Sequence, residues 1–273
     1  MKVFFLGTGS AEGYPSPFCE CENCREARKE GGKNFRKRSS ILIDNVLLFD
    51  FGPDLIAYTL KYNISFSSVR ILLITHSHYD HFYPENLQLL LPEAGTILTT
   101  PPTLKIICSQ DVADIILKET GSVKSPVPWE IIVVNAYNTV TVEDYEITAL
   151  PAVHMVGKEK AFFYLIRSKE KNLLCANDTG RWEEDVWDYL KGYHFHGVII
   201  DETMGYKSYD EHHNIEEVIA VKNRMVGDGF IDDKTVFIIT HISHNLNPVH
   251  RCLEELFTPE LIRVAYDGLE LII

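Results

Sequence analysis

The run Ile71-Leu72-Leu73-Ile74-Thr75 passes straight into His76-Ser77-His78-Tyr79-Asp80-His81, and this junction constrains the chain more than any other segment. A continuous apolar stretch of this length, with no polar alternation, suits a strand covered on both faces. On extended backbone His76 and His78 point to the same side, and a turn beyond them brings Asp80 and His81 to a second point nearby. Imidazoles and a carboxylate at that density suit a borderline divalent cation such as zinc, manganese or iron.

One such motif does not complete two metal sites. Three further candidates end apolar runs downstream: His154 after Ile147 to Val153, Asp178 after Leu173 to Asn177, and His241 after Val236 to Thr240. Taken singly, a His or Asp at a strand end is often only a hydrogen-bonded turn residue. Their joint occurrence is what points to a shared site.

Short apolar runs at 2–6, 41–43, 46–51, 70–75, 131–134, 145–150, 161–167, 172–176, 197–201, 235–239 and 262–266 are predicted strands. Helical spacing falls at 53–61, 84–91, 111–119, 181–191, 213–226 and 248–257. The mixture implies sheets covered by helices, an α/β or α+β layered sandwich. With 273 residues, 45% of them hydrophobic and 24% charged, the chain is of globular composition, and without a linker-like tract one domain over 1–273 is expected. The first apolar run stops at Gly7, short of a signal-peptide core, so a soluble cytoplasmic protein with no membrane partner is expected.

A formal charge of -13 disfavours general nucleic-acid binding, because it repels a phosphate backbone. The basic run Lys33, Arg36, Lys37 and Arg38 reads as a solvated face. Of six cysteines, Cys19, Cys21 and Cys24 crowd together, whereas Cys108, Cys175 and Cys252 lie apart as buried thiols. That distribution suggests one metal-binding cluster in a reduced compartment. A CxCxxC set needs one more ligand to close a tetrahedral zinc, and His244 offers it, three residues after His241. Gly7-Thr8-Gly9 lacks the lysine of a phosphate loop and reads as a tight turn.

Together these motifs resemble the metallo-β-lactamase superfamily of binuclear hydrolases, over nearly the whole chain. The resemblance implies a four-layer αβ/βα sandwich of the α+β class, with an inserted cysteine-rich zinc loop at 13–37. Phe49-Asp50-Phe51-Gly52 resembles the first motif, with Asp50 behind the metals. By the same resemblance His76, His78 and His154 hold one metal, Asp80, His81 and His241 the other, and Asp178 bridges them, with Asp80 and Asp178 taking part in catalysis. An aspartate at the bridging position resembles the phosphodiesterase and thioesterase branches and not the β-lactamases, which usually place a cysteine there.

The cysteine loop is similar to that of the phosphonate-pathway cyclic phosphodiesterase branch, which implies a structural zinc held by Cys19, Cys21, Cys24 and His244. The same branch implies a histidine general acid near Glu211-His212-His213-Asn214. His213 fits the family context better than His212, and Asp201-Glu202-Thr203, ending the preceding strand, is expected to supply a carboxylate that orients it. The implied activity is hydrolysis of a small or cyclic phosphate diester by a hydroxide bridging two zinc or manganese ions. A homodimer is a further implication. Thioesterase, lactonase or RNA-processing nuclease activity, or carriage as in the pyrroloquinoline-quinone pathway, are the alternatives. Phe82-Tyr83-Pro84-Glu85 replaces the branch's glycine and acidic pair, so Phe82 and Tyr83 either wall the pocket or belong to the core.

Overall fold

The computed structural model describes residues 1–97, 103–123 and 126–273. The chain begins with β1 (Lys2–Gly7), passes α1 (Glu22–Glu30), and continues through β2 (Ser40–Ile43), β3 (Leu47–Phe49), α2 (Leu55–Tyr62) and β4 (Ile71–Leu73). It then forms β5 (Leu104–Cys108), α3 (Gln110–Thr120) and β6 (Trp129–Val133). The second half runs β7 (Thr139–Val142), β8 (Tyr145–Val156), β9 (Glu159–Ser168), β10 (Lys171–Ala176), α4 (Glu184–Leu190), β11 (Gly197–Asp201), α5 (Ile215–Gly227) and β12 (Val236–Thr240). It closes with α6 (His250–Phe257), β13 (Arg263–Val264) and β14 (Glu270–Ile272).

These strands form two seven-stranded mixed sheets, in the orders β14-β1-β2-β3-β4-β5-β6 and β13-β12-β11-β10-β9-β8-β7. Strand alternation assigns the faces. Phe49, Leu73, Ile107, Cys175, Ile199 and Ile238 point into the layer between the sheets. Leu48, Leu72 and Ile106 point outward to Tyr58, Val112 and Ile116 of the first helical layer. Leu174, Ile200 and Ile239 face Val218 and Leu253 of the second. Both faces of each sheet are therefore apolar, which is why the central strands read as continuous hydrophobic runs, and the four layers are those of the metallo-β-lactamase sandwich.

Within each sheet one block is parallel: β3 to β6 in the first, β10 to β13 in the second. Their carboxyl ends open onto a crevice, the usual place for a ligand in parallel sheets.

Gly7 is not a turn residue. A Cβ there would overlap the Arg38 carbonyl, and Gly9 bridges to both Arg38 and Ile242. The glycines permit three backbones to pass in contact, which ties the N-terminal strand to the segment following β12. The basic run likewise differs from a solvated face. Arg36 is buried and donates to Thr8, the Ala265 carbonyl and His250, while Lys37 pairs with Asp267 and Arg38 with Asp54. Phe82 belongs to the core and Tyr83 is partly exposed. Cys108 and Cys175 are buried, but Cys252 is only half-buried.

Candidate metal centre and acid-base site

The site is assembled from strand ends. Asp50 follows β3, His76 to His81 follow β4, His154 lies in β8, Asp178 follows β10, Asp201 ends β11 and His241 follows β12. Asp50, Asp178 and His241 have φ of +62°, +45° and +61°. Such left-handed backbone is uncommon outside glycine and clusters at functional positions. Here it turns each side chain sharply off its strand into the crevice.

His76, His78 and His154 form one group and Asp80, His81, Asp178 and His241 another, with the ligand atoms within each group no more than 4.8 Å apart. Nε2 of His76 and Nε2 of His154 each lie 3.0 Å from Nδ1 of His78. Nε2 of His81 and Nε2 of His241 are 3.3 Å apart. Two nitrogens bound to one tetrahedral zinc at about 2.0–2.1 Å lie about 3.3 Å from each other. Asp178 reaches both groups: Oδ2 is 3.0 Å from His81 Nε2 and 3.9 Å from both His76 and His154, and Oδ1 is 3.2 Å from His241.

Hydrogen bonds behind the cluster set the tautomers. The Thr75 hydroxyl donates to Asp50 Oδ1 at 3.0 Å, so it accepts from Nδ1–H of His76 at 2.9 Å. The other Asp50 oxygen accepts from Nδ1–H of His81 at 2.7 Å. A second carboxylate-threonine pair repeats the device. Thr203 donates to Asp201 at 2.5 Å and accepts from Nδ1–H of His241 at 2.8 Å. His76, His81 and His241 are thereby left with Nε2 lone pairs aimed at the cavity, the orientation that metal-binding imidazoles need.

The charge balance fits cations as well. Burial disfavours charge on His81 and His241, but Asp178 and Asp80 outweigh it and raise both imidazoles, so the carboxylates draw positive charge to the Nε2 positions, which bound cations would supply in place of protons. Burial keeps His76 and His154 low, hence neutral and able to coordinate. Asp178 Oδ1 is buried without a hydrogen bond. A buried carboxylate oxygen with imidazole nitrogens around it and no hydrogen bond of its own suits a shared positive ion. The donor set and its spacing therefore fit a pair of divalent metals.

Of the two candidate general acids, the structure brings His212 and not His213 beside the cluster. Nδ1 of His212 donates to Asp201 Oδ2 at 2.7 Å, and its ring lies 4.9 Å from His154 and 5.7 Å from His241, nearly parallel to the latter. With Nδ1 held by Asp201, Nε2 is left to face the metals' cavity. Burial opposes charge on His212, yet Asp201 carries the imidazole up to about 9; divalent cations would draw it back down. His213 instead lies against Trp182, with neither ring nitrogen hydrogen-bonded, and burial pushes it down to about 4. It is neutral near pH 7 and a poor proton donor.

Cys19, Cys21, Cys24 and His244 form a third group. Cys21 Sγ is 3.7 Å from His244 Nδ1, close to the roughly 3.6 Å between a thiolate and an imidazole nitrogen sharing one tetrahedral zinc. Backbone N–H groups of Ser16, Cys21 and Cys24 donate to the three sulfurs. Burial pushes the Cys24 thiol up to about 12, so a thiolate there calls for a cation.

The beta-lactamase superfamily domain matches residues 45–242, which takes in every catalytic-cluster residue named above. The chain belongs to this superfamily. Comparison with curated proteins returns no match. Among solved structures, a diphosphatase of the PhnP family is similar at 19% identity and TM-score 0.75, covering 100% of this chain and 97% of that one. Zinc-bound PqqB from Methylobacterium extorquens is similar at 16% identity and TM-score 0.69, with 100% of both chains covered. Human tRNase Z, short form, follows at 18% identity and TM-score 0.68, covering 100% and 99%. At these identities the likenesses establish the fold, and membership of the superfamily indicates a metal-dependent hydrolase.

Sequence reasoning missed three supports. Glu159, from the β8–β9 hairpin, accepts from Ser77 N–H, Ser77 hydroxyl and Ser109 hydroxyl and braces the backbone between His76 and His78. Glu211 accepts from Met155 N–H and sits 3.7 Å from His154 Nδ1. Thr203 has only its place after Asp201-Glu202 to mark it. Gly52 is a further support, because a Cβ there would overlap the Asp80 carbonyl. Gly52→Ala is expected to destabilise the fold by about 1–3 kcal/mol and loosen the Asp80-His81 turn. A thermal melt combined with metal analysis checks it; unchanged values for both would show that the turn tolerates the extra carbon.

Proposed function

We propose that the chain, a single domain over 1–273, hydrolyses small monoanionic phosphate diesters with two divalent ions, zinc or manganese. His76, His78 and His154 would hold one, Asp80, His81 and His241 the other, and Asp178 would join them. Such a pair supplies Lewis-acid polarisation of the phosphoryl group and water whose pKa falls towards about 7. The observation that carries the diester reading is an Asp201-backed imidazole, His212, at the lip of the metal cluster. An alkoxide is a poor leaving group and needs a proton, whereas a thiolate leaves without one. His212 Nε2–H would deliver that proton as the P–O bond breaks, and Asp201 holds the ring in the donating tautomer.

Thr203 links this acid to His241 through the same carboxylate, so the metal ligand and the proton donor are positioned together. The basic side chains of residues 36–38 are spent on internal partners, which supports a small substrate over a polyanion. Free thiols throughout support a reducing, cytoplasmic setting. No helix among the described residues is long and apolar enough to cross a membrane.

Turnover by the metal-loaded protein of cyclic nucleotides, ribose cyclic phosphates, alkyl and aryl diesters, thioesters, lactones and a precursor tRNA tests the proposal. Diesters are expected to give the highest kcat/KM. Selective turnover of thioesters, lactones or the tRNA would replace the reading with the corresponding one, and tight retention of a small molecule without turnover would favour a carrier.

A further inference from the structure

We propose that Tyr209 is a stacking platform for an aromatic ring on the leaving alcohol, so that the substrate class is a base-bearing mononucleotide diester. The observation is a column of rings. His241, a candidate metal ligand, lies 5.7 Å from His212 at an interplanar angle of 10°, and His212 lies 6.2 Å from Tyr209 at 20°. The first ring is buried, the second partly buried, and the third is 48% exposed, so the column leads from the cluster to solvent and ends on a half-open aromatic face.

Local structure holds that face in place before any ligand arrives. Residues 209 and 212 form an antiparallel bridge. Asp210 packs so closely on Gly180 that a Cβ there would overlap its carbonyl. Glu211 fastens the turn to Met155 N–H and accepts from the Tyr209 hydroxyl at 3.4 Å. Tyr79, also exposed, stands outside this column: its ring lies by the Arg38 guanidinium at 5.8 Å and its hydroxyl donates to the Ala11 carbonyl.

The chemistry of the column selects the ligand. Aromatic rings stack face to face with an offset, and every nucleobase offers such a face. The inference rests on the diesterase reading in one respect: because His212 protonates the leaving oxygen, the ring beyond it contacts the leaving group and not the retained phosphate ester. A single base suffices for one tyrosine, and the chain's charge of -13 disfavours a longer nucleic acid.

Binding of adenosine 5′-monophosphate and ribose 5-phosphate to the metal-loaded protein, measured by calorimetry, isolates the base. Adenosine 5′-monophosphate is expected to bind about tenfold more tightly, within the range for stacking one base on an aromatic side chain. Tyr209→Ala should bring the two affinities together, and Tyr209→Phe should keep them apart. Equal affinities in the parent protein, no binding of the nucleotide, or a preference that survives Tyr209→Ala would each overturn the platform. Failure of the diesterase reading shows separately, as absence of diester turnover, since this comparison needs no catalysis.

Discussion

His212→Gln is expected to slow hydrolysis of alkyl diesters by about 10²–10⁴-fold, while slowing p-nitrophenyl diesters far less. The difference arises because p-nitrophenolate departs without help, whereas an alkoxide needs the proton that His212 is placed to give. Glutamine is the informative replacement. Its amide can still donate to Asp201, so the buried carboxylate is not left without a partner, and metal content should be unchanged. His213→Gln should alter both substrate types by one small common factor, because that ring lies against Trp182 and belongs to none of the candidate ligand groups. Rates plotted against leaving-group acidity make the comparison. A steepened dependence in the His213 variant and none in the His212 variant would reverse the assignment.

That sequence reasoning favours His213 has a physical cause. Helical spacing suggests a helix from 213, but α5 starts at Ile215 behind a capping box, in which Asn214 accepts from Glu217 N–H and Glu217 accepts from Asn214 N–H. Residues 212 and 213 thus precede the helix on a turn, where neighbouring side chains diverge, and spacing alone does not say which faces the metals. The remaining cluster is far more legible. Each residue ends or leaves an apolar run, and the parallel order that gathers those ends follows from strands alternating with helices. Even so, the strand predicted for 46–51 stops at Phe49, because Asp50 turns into left-handed backbone.

Other elements are hidden for reasons of their own. β5 pairs between β4 and β6, yet Lys105 interrupts its short apolar run. The helix predicted for 84–91 is a 3-10 segment, Pro84–Leu90, cut short before Pro92. α1 buries only Cys24 and Ala27 and is capped by the Cys21 sulfur, not by one of the usual polar caps, so neither its face nor its start announces a helix. The cap is the same sulfur that points to His244. In the cysteine loop, metal site and secondary structure are therefore one feature, which leads to a second large expected effect.

Cys21→Ser is expected to remove one tightly retained zinc per chain, leave the exchangeable pair, and lower the melting temperature by roughly 10 °C, as losing a structural metal worth on the order of 4 kcal/mol would do. The loop's other ties to the chain beyond β12 run mainly through its two ends, Tyr14 and residues 30–36. Asn23 donates to the His244 carbonyl, while α1 itself buries little. Serine preserves size and can still cap the helix, so the loss would report on zinc and not on a missing cap. Because His244 and His241 flank one short turn after β12, freeing the former should also loosen the latter. Affinity for the exchangeable pair should fall modestly as a result. Zinc analysis after dialysis, with melts run in the presence and absence of chelator, separates the two sites. Were Cys21→Ser to keep its full zinc and melt like the parent, the thiols would be no more than a surface loop, and residues 13–37 would be held instead by ties such as Tyr14 to the Asn247 carbonyl, Asn34 to His250 N–H and the buried Arg36.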